Sequence, residues 1–150
     1  RIVSPLALKE YKNRWYLIAQ EKEMQKIFGL ERILKVDILP EKRDENIEFN
    51  YEDKFLHCFG IQVPNGDKPS KVILEFNKKQ AEYIKTLPMH ASQKIVFEDE
   101  KFTHFELTIF ITSDFVSELL SWNNQVKVIQ PKSLIQTIKK KLQENLDLYN

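Results

Sequence analysis

The sequence predicts an α+β chain, with a strand-rich first part and a second part in which strands and helices alternate. Three observations predict it. Residues 1–39 string together aromatic and β-branched runs separated by short polar turns. Pro64-Asn65-Gly66-Asp67-Lys68-Pro69 is a cluster of chain breakers. Beyond it the apolar period switches between that of a strand and that of a helix.

In order, Ile2 to Tyr11 reads as an extended stretch, with Pro5 admissible only near an edge or a bulge. Lys12-Asn13 is a turn. Arg14 to Ala19, aromatic and β-branched, is the strongest strand in the chain. Glu21-Lys22-Glu23 turns the chain again, and Lys26 to Leu39 is the next strand, bent near Gly29. Such short antiparallel strands suggest a small barrel or a compact meander. Pro40 to Asn46 is a charged loop, and Tyr51 to Cys58 a short helix.

After the breakers, Lys71 to Phe76 is a strand. Asn77 caps a helix with Gln80 three residues on, and Ala81, Ile84 and Leu87 form its apolar face. Lys94–Phe97 and Phe102–Thr112 are strands joined by an acidic turn. Ser113 and Asp114 open a helix with Phe115, Leu119 and Trp122 on one face. Val126 to Ile129 is a further strand, and Pro131 introduces a last helix with Leu134, Ile138 and Leu142 spaced four apart. The β-α-β-β-α-β order is ferredoxin-like, with an extra C-terminal helix. The expected domains are 1–62 and 71–150, with 63–70 as linker.

Composition bounds the function. With 150 residues, 42% apolar and 30% charged, the chain can build a core in one domain or two small ones. The net charge of +1 gives no global field for duplex DNA. Residues 1–40 nevertheless carry eight Lys/Arg against five Asp/Glu, so an anionic ligand is expected near that segment. The lone cysteine, Cys58, fits a reducing cytoplasm. No apolar run reaches membrane-spanning length, and no membrane partner is expected. The N-terminus starts directly in strand-like sequence and reads as a cut edge, with an upstream domain expected to be missing.

No enzyme signature emerges. His57, His90 and His104 are scattered, and no His-x-x-x-His, Cys-x-x-Cys or Gly-x-Ser-x-Gly occurs. Neither catalytic residues, nor a metal, nor a cofactor is expected.

Arg14-Trp15-Tyr16-Leu17 contains the triplet that names the WYL domain, preceded by Pro5-Leu6-Ala7-Leu8-Lys9 at the family's spacing. Lys26-Ile27-Phe28-Gly29-Leu30-Glu31-Arg32-Ile33 resembles the family's later strand. The second half resembles the extension that follows WYL domains, with its Trp-bearing helix and the run Val126 to Pro131. The chain thus resembles WYL-domain transcriptional regulators of bacteria over nearly all its length. The resemblance implies an Sm-like, SH3-type barrel for the first domain and a DNA-binding helix-turn-helix in the parent protein. It also implies a homodimer that senses an anionic ligand, a nucleotide or single-stranded nucleic-acid fragment.

Alternation then places Arg14 and Tyr16 on one strand face and Trp15 with Leu17 on the other, the better core pair. An arginine fork grips phosphate, and a tyrosine ring stacks on a base. Lys26 and Arg32 match the family's two basic positions, and Lys9 is a further candidate. Ala7 departs from the larger side chain usual there, which implies a wider pocket or a different ligand. Plainer readings stand beside these: Arg14 as a turn arginine, Tyr16 as a barrel tyrosine, Arg32 paired with Glu31 or Asp37, and Lys139-Lys140-Lys141 as a solvated face. Two other functions stay open. One is a dimerisation module with no ligand. The other is an RNA-binding ferredoxin-like module, against which Glu106 counts as a carboxylate repelling phosphate among Phe102, Phe105 and Phe110.

Overall fold

A computed structural model describes residues 1–42, 46–64 and 66–150. The chain is α+β, built on two antiparallel sheets. It divides into two compact units, Arg1–Leu56 and His57–Asn150. The expected charged loop at 40–46 and the breaker cluster at 64–69 lie partly outside the described residues. Among the described residues, no helix is long and apolar enough to cross a membrane.

In the first unit the described strands are β1 (Ser4–Tyr11), β2 (Arg14–Glu21) and β3 (Met24–Gly29), in the order β1-β2-β3. Lys12 and Asn13 both take positive φ, the backbone of a tight two-residue hairpin whose twist matches the strands. Pro5 sits on an edge strand beside the register shift between Pro5 and Ala7, where its missing N–H costs no ladder bond.

The third strand is shorter than its apolar alternation suggested. It ends at Gly29, and Leu30–Arg32 form a 3-10 turn. A Cβ at Gly29 would lie 3.1 Å from the Glu31 carboxylate, so a glycine there leaves room for Glu31 to fold back. Residues 33–39 continue without a sheet partner among the described residues. The sheet is therefore open: three strands are too few to close a barrel. A short helix, α1 (Tyr51–Phe55), follows, capped by Asn50, whose side chain accepts from the Glu52 and Asp53 N–H groups.

The second unit runs β4 (Ser70–Asn77), α2 (Lys78–Thr86), β5 (Lys94–Glu98), β6 (Phe102–Ile109), α3 (Ser113–Ser121), β7 (Val126–Gln130) and α4 (Lys132–Asp147). Its sheet has the order β5-β6-β4-β7, with each neighbouring pair antiparallel. Alternate residues of the central strands, Val72, Leu74 and Phe76 with Phe105, Leu107 and Ile109, form the core. Ala81 and Ile84 of α2, Phe115 and Leu119 of α3, and Leu134 of α4 cover them. Asn77 caps α2 by accepting from the Gln80 N–H at 2.9 Å. Leu87, expected on the apolar face of α2, is instead exposed: the helix stops at Thr86 and the chain turns away. Trp122 packs edge-on against Phe76, at 5.8 Å between centroids.

Thr103 is fully buried on the core side of β6, and its hydroxyl has no hydrogen-bond partner among the described residues. Burying an unpaired hydroxyl costs about 1–3 kcal/mol. Thr103→Val keeps the shape and removes that cost. It is expected to stabilise the unit by about 1 kcal/mol in urea titration. A loss of stability would reveal a partner for that hydroxyl.

Candidate functional site

The ladder between β1 and β2 pairs Lys9 with Tyr16 and Tyr11 with Arg14, so these four side chains share one face. Tyr16 in turn stands opposite Gly29, at the entrance to the 3-10 turn that carries Arg32. Arg14 reaches Glu31 in the same turn, Nη1 to Oε1 at 3.4 Å. The structure thus gathers Lys9, Arg14 and Tyr16 on one face, with Arg32 exposed in the adjoining turn. Arg32 makes no ion pair among the described residues, because Glu31 faces Arg14 and Asp37 pairs with Lys35 at 3.0 Å.

Lys9 is held from a direction the sequence reading missed. Its ammonium donates to the Tyr51 hydroxyl at 3.0 Å and lies over the rings of Tyr51 (5.4 Å) and Phe55 (4.7 Å). Tyr51 and Phe55 are four apart on α1, so one helical face presents both. That spacing was the available signal. By itself it states a helix and not what the helix covers.

Lys26 stands elsewhere. It pairs with Ala19, whose side chain points opposite to Tyr16, so Lys26 lies on the other face of the sheet. There it donates to Glu21, which also meets Arg1 at 3.7 Å. The Lys26 hydrogen bond holds the Glu21 carboxyl below the usual carboxylate range. Trp15 shares this face and is 49% exposed, with Leu8 exposed near it and Met24 exposed at the far end of the same face. The expected core pair Trp15 and Leu17 is therefore not fully buried. Burial is complete instead at Ile18 and Ala19, in the middle of the central strand.

In the second unit, residues 57–62 lie along β6 and α3. The Phe110 N–H donates to the His57 carbonyl (2.8 Å), and His57 Nδ1 donates to the Thr108 carbonyl (3.0 Å). Asp114 Oδ2 accepts from the Ile61 and Gln62 N–H groups at 3.2 Å each. Nearby, Ser92 Oγ contacts His90 Nδ1 at 2.8 Å, a serine–histidine pair the sequence reading did not anticipate. Its role is structural, since the same Oγ accepts the Thr108 N–H (2.9 Å) and the Ser92 N–H donates to the same His90 nitrogen (3.1 Å). That nitrogen must stay unprotonated to accept.

Burial, with the nearby His57 second, lowers the His90 pKa below 6.5. The unfolded chain therefore binds the proton more readily. Stability is full above pH 6.5 and is lost as pH falls from there through the lowered value. Urea midpoints at pH 8 and 5.5 are expected to differ less in His90→Gln than in the wild type. Equal differences would remove His90 as the cause.

On the helix-free face of the second sheet, Glu106 is only 6% exposed. It is covered by Lys94 (2.8 Å) and Lys71 (3.1 Å), which lower its pKa in that order. The carboxylate that sequence reasoning set against phosphate is thus masked, while the lysine ends and Phe97 remain at the surface. Lys140 and Lys141 of the basic run in α4 pair with Glu144.

Two family models match the chain: the WYL domain over residues 1–38 and the WCX domain over residues 68–146. No curated protein matches it. The WCX match alone spans more than half of the chain, and both domains occur in WYL-family transcription regulators. With a strand meander bearing the Trp-Tyr-Leu triplet followed by a four-stranded sheet under helices, the chain belongs to the WYL family of transcription regulators.

Proposed function

We propose that the first unit senses an anionic ligand, a nucleotide or short single-stranded nucleic acid, on the face bearing Lys9, Arg14 and Tyr16 beside Arg32. One observation carries this reading. Cross-strand pairing brings a guanidinium group, an ammonium and a tyrosine ring to one end of one sheet face, and the 3-10 turn that begins opposite Tyr16 carries a second, exposed arginine, Arg32. Guanidinium forks suit phosphate oxygens, and the ring suits a base. Glu31 serves as the resting counter-ion of Arg14 and gives way to the ligand. Lys26, on the opposite face, stays with Glu21 and is not part of the site.

In this reading the open sheet is one wall of an Sm-like barrel and the second unit is ferredoxin-like, its strand order supporting that arrangement. The chain works as a homodimer in the cytoplasm. Ligand binding favours one dimer geometry over another, and a DNA-binding helix-turn-helix in the parent protein responds. Such coupling requires the ligand to bind the two geometries unequally.

The test is fluorescence anisotropy with labelled oligo-dT and oligo-U at two salt concentrations. Two or three phosphate contacts on a single strand predict about seven- to twentyfold weaker binding for a fourfold rise in salt. Arg14→Ala/Arg32→Ala is expected to weaken binding at least about tenfold with its circular dichroism unchanged. Binding that the double variant retains, or none in the wild type, sinks this site.

A second reading rests on the masked Glu106: the helix-free sheet face, with Lys71, Lys94 and Phe97, binds the strand instead. Lys71→Ala/Lys94→Ala would then weaken binding where the arginine variant does not.

A further inference from the structure

Residues Ile33–Leu39 follow the 3-10 turn with the apolar–polar alternation of a strand, and Ile33 has extended backbone (φ −89°, ψ 114°). They have no sheet partner among the described residues. Leu34, Val36 and Ile38 are 100%, 73% and 96% exposed. Three aliphatic side chains on alternate positions, left in water on a segment that joins no sheet among the described residues, form a ready template for strand pairing.

The order of the residues says what that partner is. Ile33-Leu34-Lys35-Val36-Asp37-Ile38-Leu39 reads the same in both directions by chemical type. If two copies run antiparallel about Val36, Val36 faces its own mate, Leu34 faces Ile38, and Ile33 faces Leu39. Lys35 then faces Asp37 on both sides of the axis. Apolar meets apolar and cation meets anion at each position, the self-complementarity a two-fold contact requires. Within one copy Lys35 and Asp37 already attract each other, at 3.0 Å. The dimer exchanges that contact for two cross-strand pairs.

We infer that Ile33–Leu39 is a self-pairing strand that joins two copies of this chain as an antiparallel ribbon on a two-fold axis. The inference deepens the proposed function by supplying the dimer contact on which its coupling depends. Arg32 immediately precedes the ribbon, so an anion held by Arg14 and Arg32 acts on the turn that aims it. A two-stranded ribbon is marginal by itself, so the dimer is expected to be weak and concentration-dependent.

The test is sedimentation velocity of the whole chain from about 1 µM to about 1 mM, without ligand. The wild type is expected to dimerise within that range. Lys35→Asp places like charges opposite each other twice and is expected to weaken dimerisation about tenfold. Val36→Lys, which sets two ammonium groups face to face on the axis, is expected to abolish it. The swap Lys35→Asp/Asp37→Lys restores the pairs and is expected to restore the dimer, a recovery no loss of folding could mimic. A wild type that stays monomeric overturns the inference and assigns the stripe to cover by another segment or protein. Dimers indifferent to Lys35→Asp, or not rescued by the swap, overturn it equally. Failure of the ligand site shows only in the anisotropy experiment, so the two can fail separately.

Discussion

Truncating Phe76 to alanine is expected to cost the second unit about 3–5 kcal/mol, the largest effect of any single side chain considered. Phe76 is fully buried on the central strand β4 and meets Phe105 at 5.9 Å and Trp122 at 5.8 Å, both edge to face. Alanine loses the transfer free energy of the ring and leaves a cavity that two neighbouring aromatics cannot collapse into without leaving their rotamers. A domain this size has about 5–15 kcal/mol of stability in all. The urea midpoint is therefore expected to fall by about 1.5–3 M for a slope near 1.5–2 kcal/mol/M. Trp122 fluorescence reports the transition, since its ring leans on Phe76. Leu87→Ala, at an exposed apolar position, is the contrast and is expected to stay within about 0.5 kcal/mol. Comparable losses in the two variants would refute the assignment of the core.

Replacing Gly60 with alanine is expected to destabilise by about 2–3 kcal/mol, from two causes that add. Gly60 has φ +81°, where a Cβ is strained by about 1–2 kcal/mol. That Cβ would also lie 2.7 Å from Asp114 Oδ2 and 3.0 Å from Asp114 Cβ, so the carboxylate must move. When it moves, the Ile61 and Gln62 N–H groups lose their acceptor. For a unit of this size the loss corresponds to a melting temperature lower by roughly 10–20 °C. Asp114→Ala removes the acceptor and, with it, the carboxylate that comes closest to the new Cβ, leaving only the Asp114 Cβ position at 3.0 Å. Gly60→Ala/Asp114→Ala should therefore cost clearly less than the two single changes together. Strict additivity in thermal unfolding would show that Gly60 and Asp114 do not act on each other.

Local pattern carried much of the second unit. Asn77 before the α2 periodicity, Pro131 before α4 and the β-branched run of β4 each act through neighbours a few residues away, and all three elements form where those signals stand. The order of the elements was legible for the same reason. In the first unit the turn at Lys12-Asn13 was legible too, and the one expected at Glu21-Lys22-Glu23 closes over Lys22 and Glu23 with Glu21 still in β2, because a two-residue connection between strands leaves few backbone choices.

The extent of β3 was not legible. Lys26 to Leu39 reads as one strand, but pairing with β2 stops at Gly29, opposite Tyr16, where the chain turns into the 3-10 segment Leu30–Arg32 with Trp15 and Arg14 of β2 still ahead. A strand pattern states what a segment can do, and only the neighbour decides whether it does. The face of Lys26 was lost in the same way: alternation gives relative parity within one strand, and register between strands sets absolute parity. Leu142, four residues beyond Ile138 on the periodic face of α4, is likewise exposed because the helix outruns the sheet it packs on.

By itself, then, the sequence determined the α+β class, the order of strands and helices, the family through Arg14-Trp15-Tyr16-Leu17 and its surroundings, and which basic residues the first segment carries. Tertiary structure alone decided which of those residues meet. It put Lys9, Arg14 and Tyr16 on one face with Arg32 beside them, sent Lys26 to the other face, brought Tyr51 and Phe55 to Lys9, and masked Glu106 beneath two lysines. The physical reason is the range of the forces involved. Backbone preferences, caps and turns are settled within a few residues, whereas a site is a set of distances between segments far apart in the chain, fixed by sheet register and by the packing of helices on the sheets.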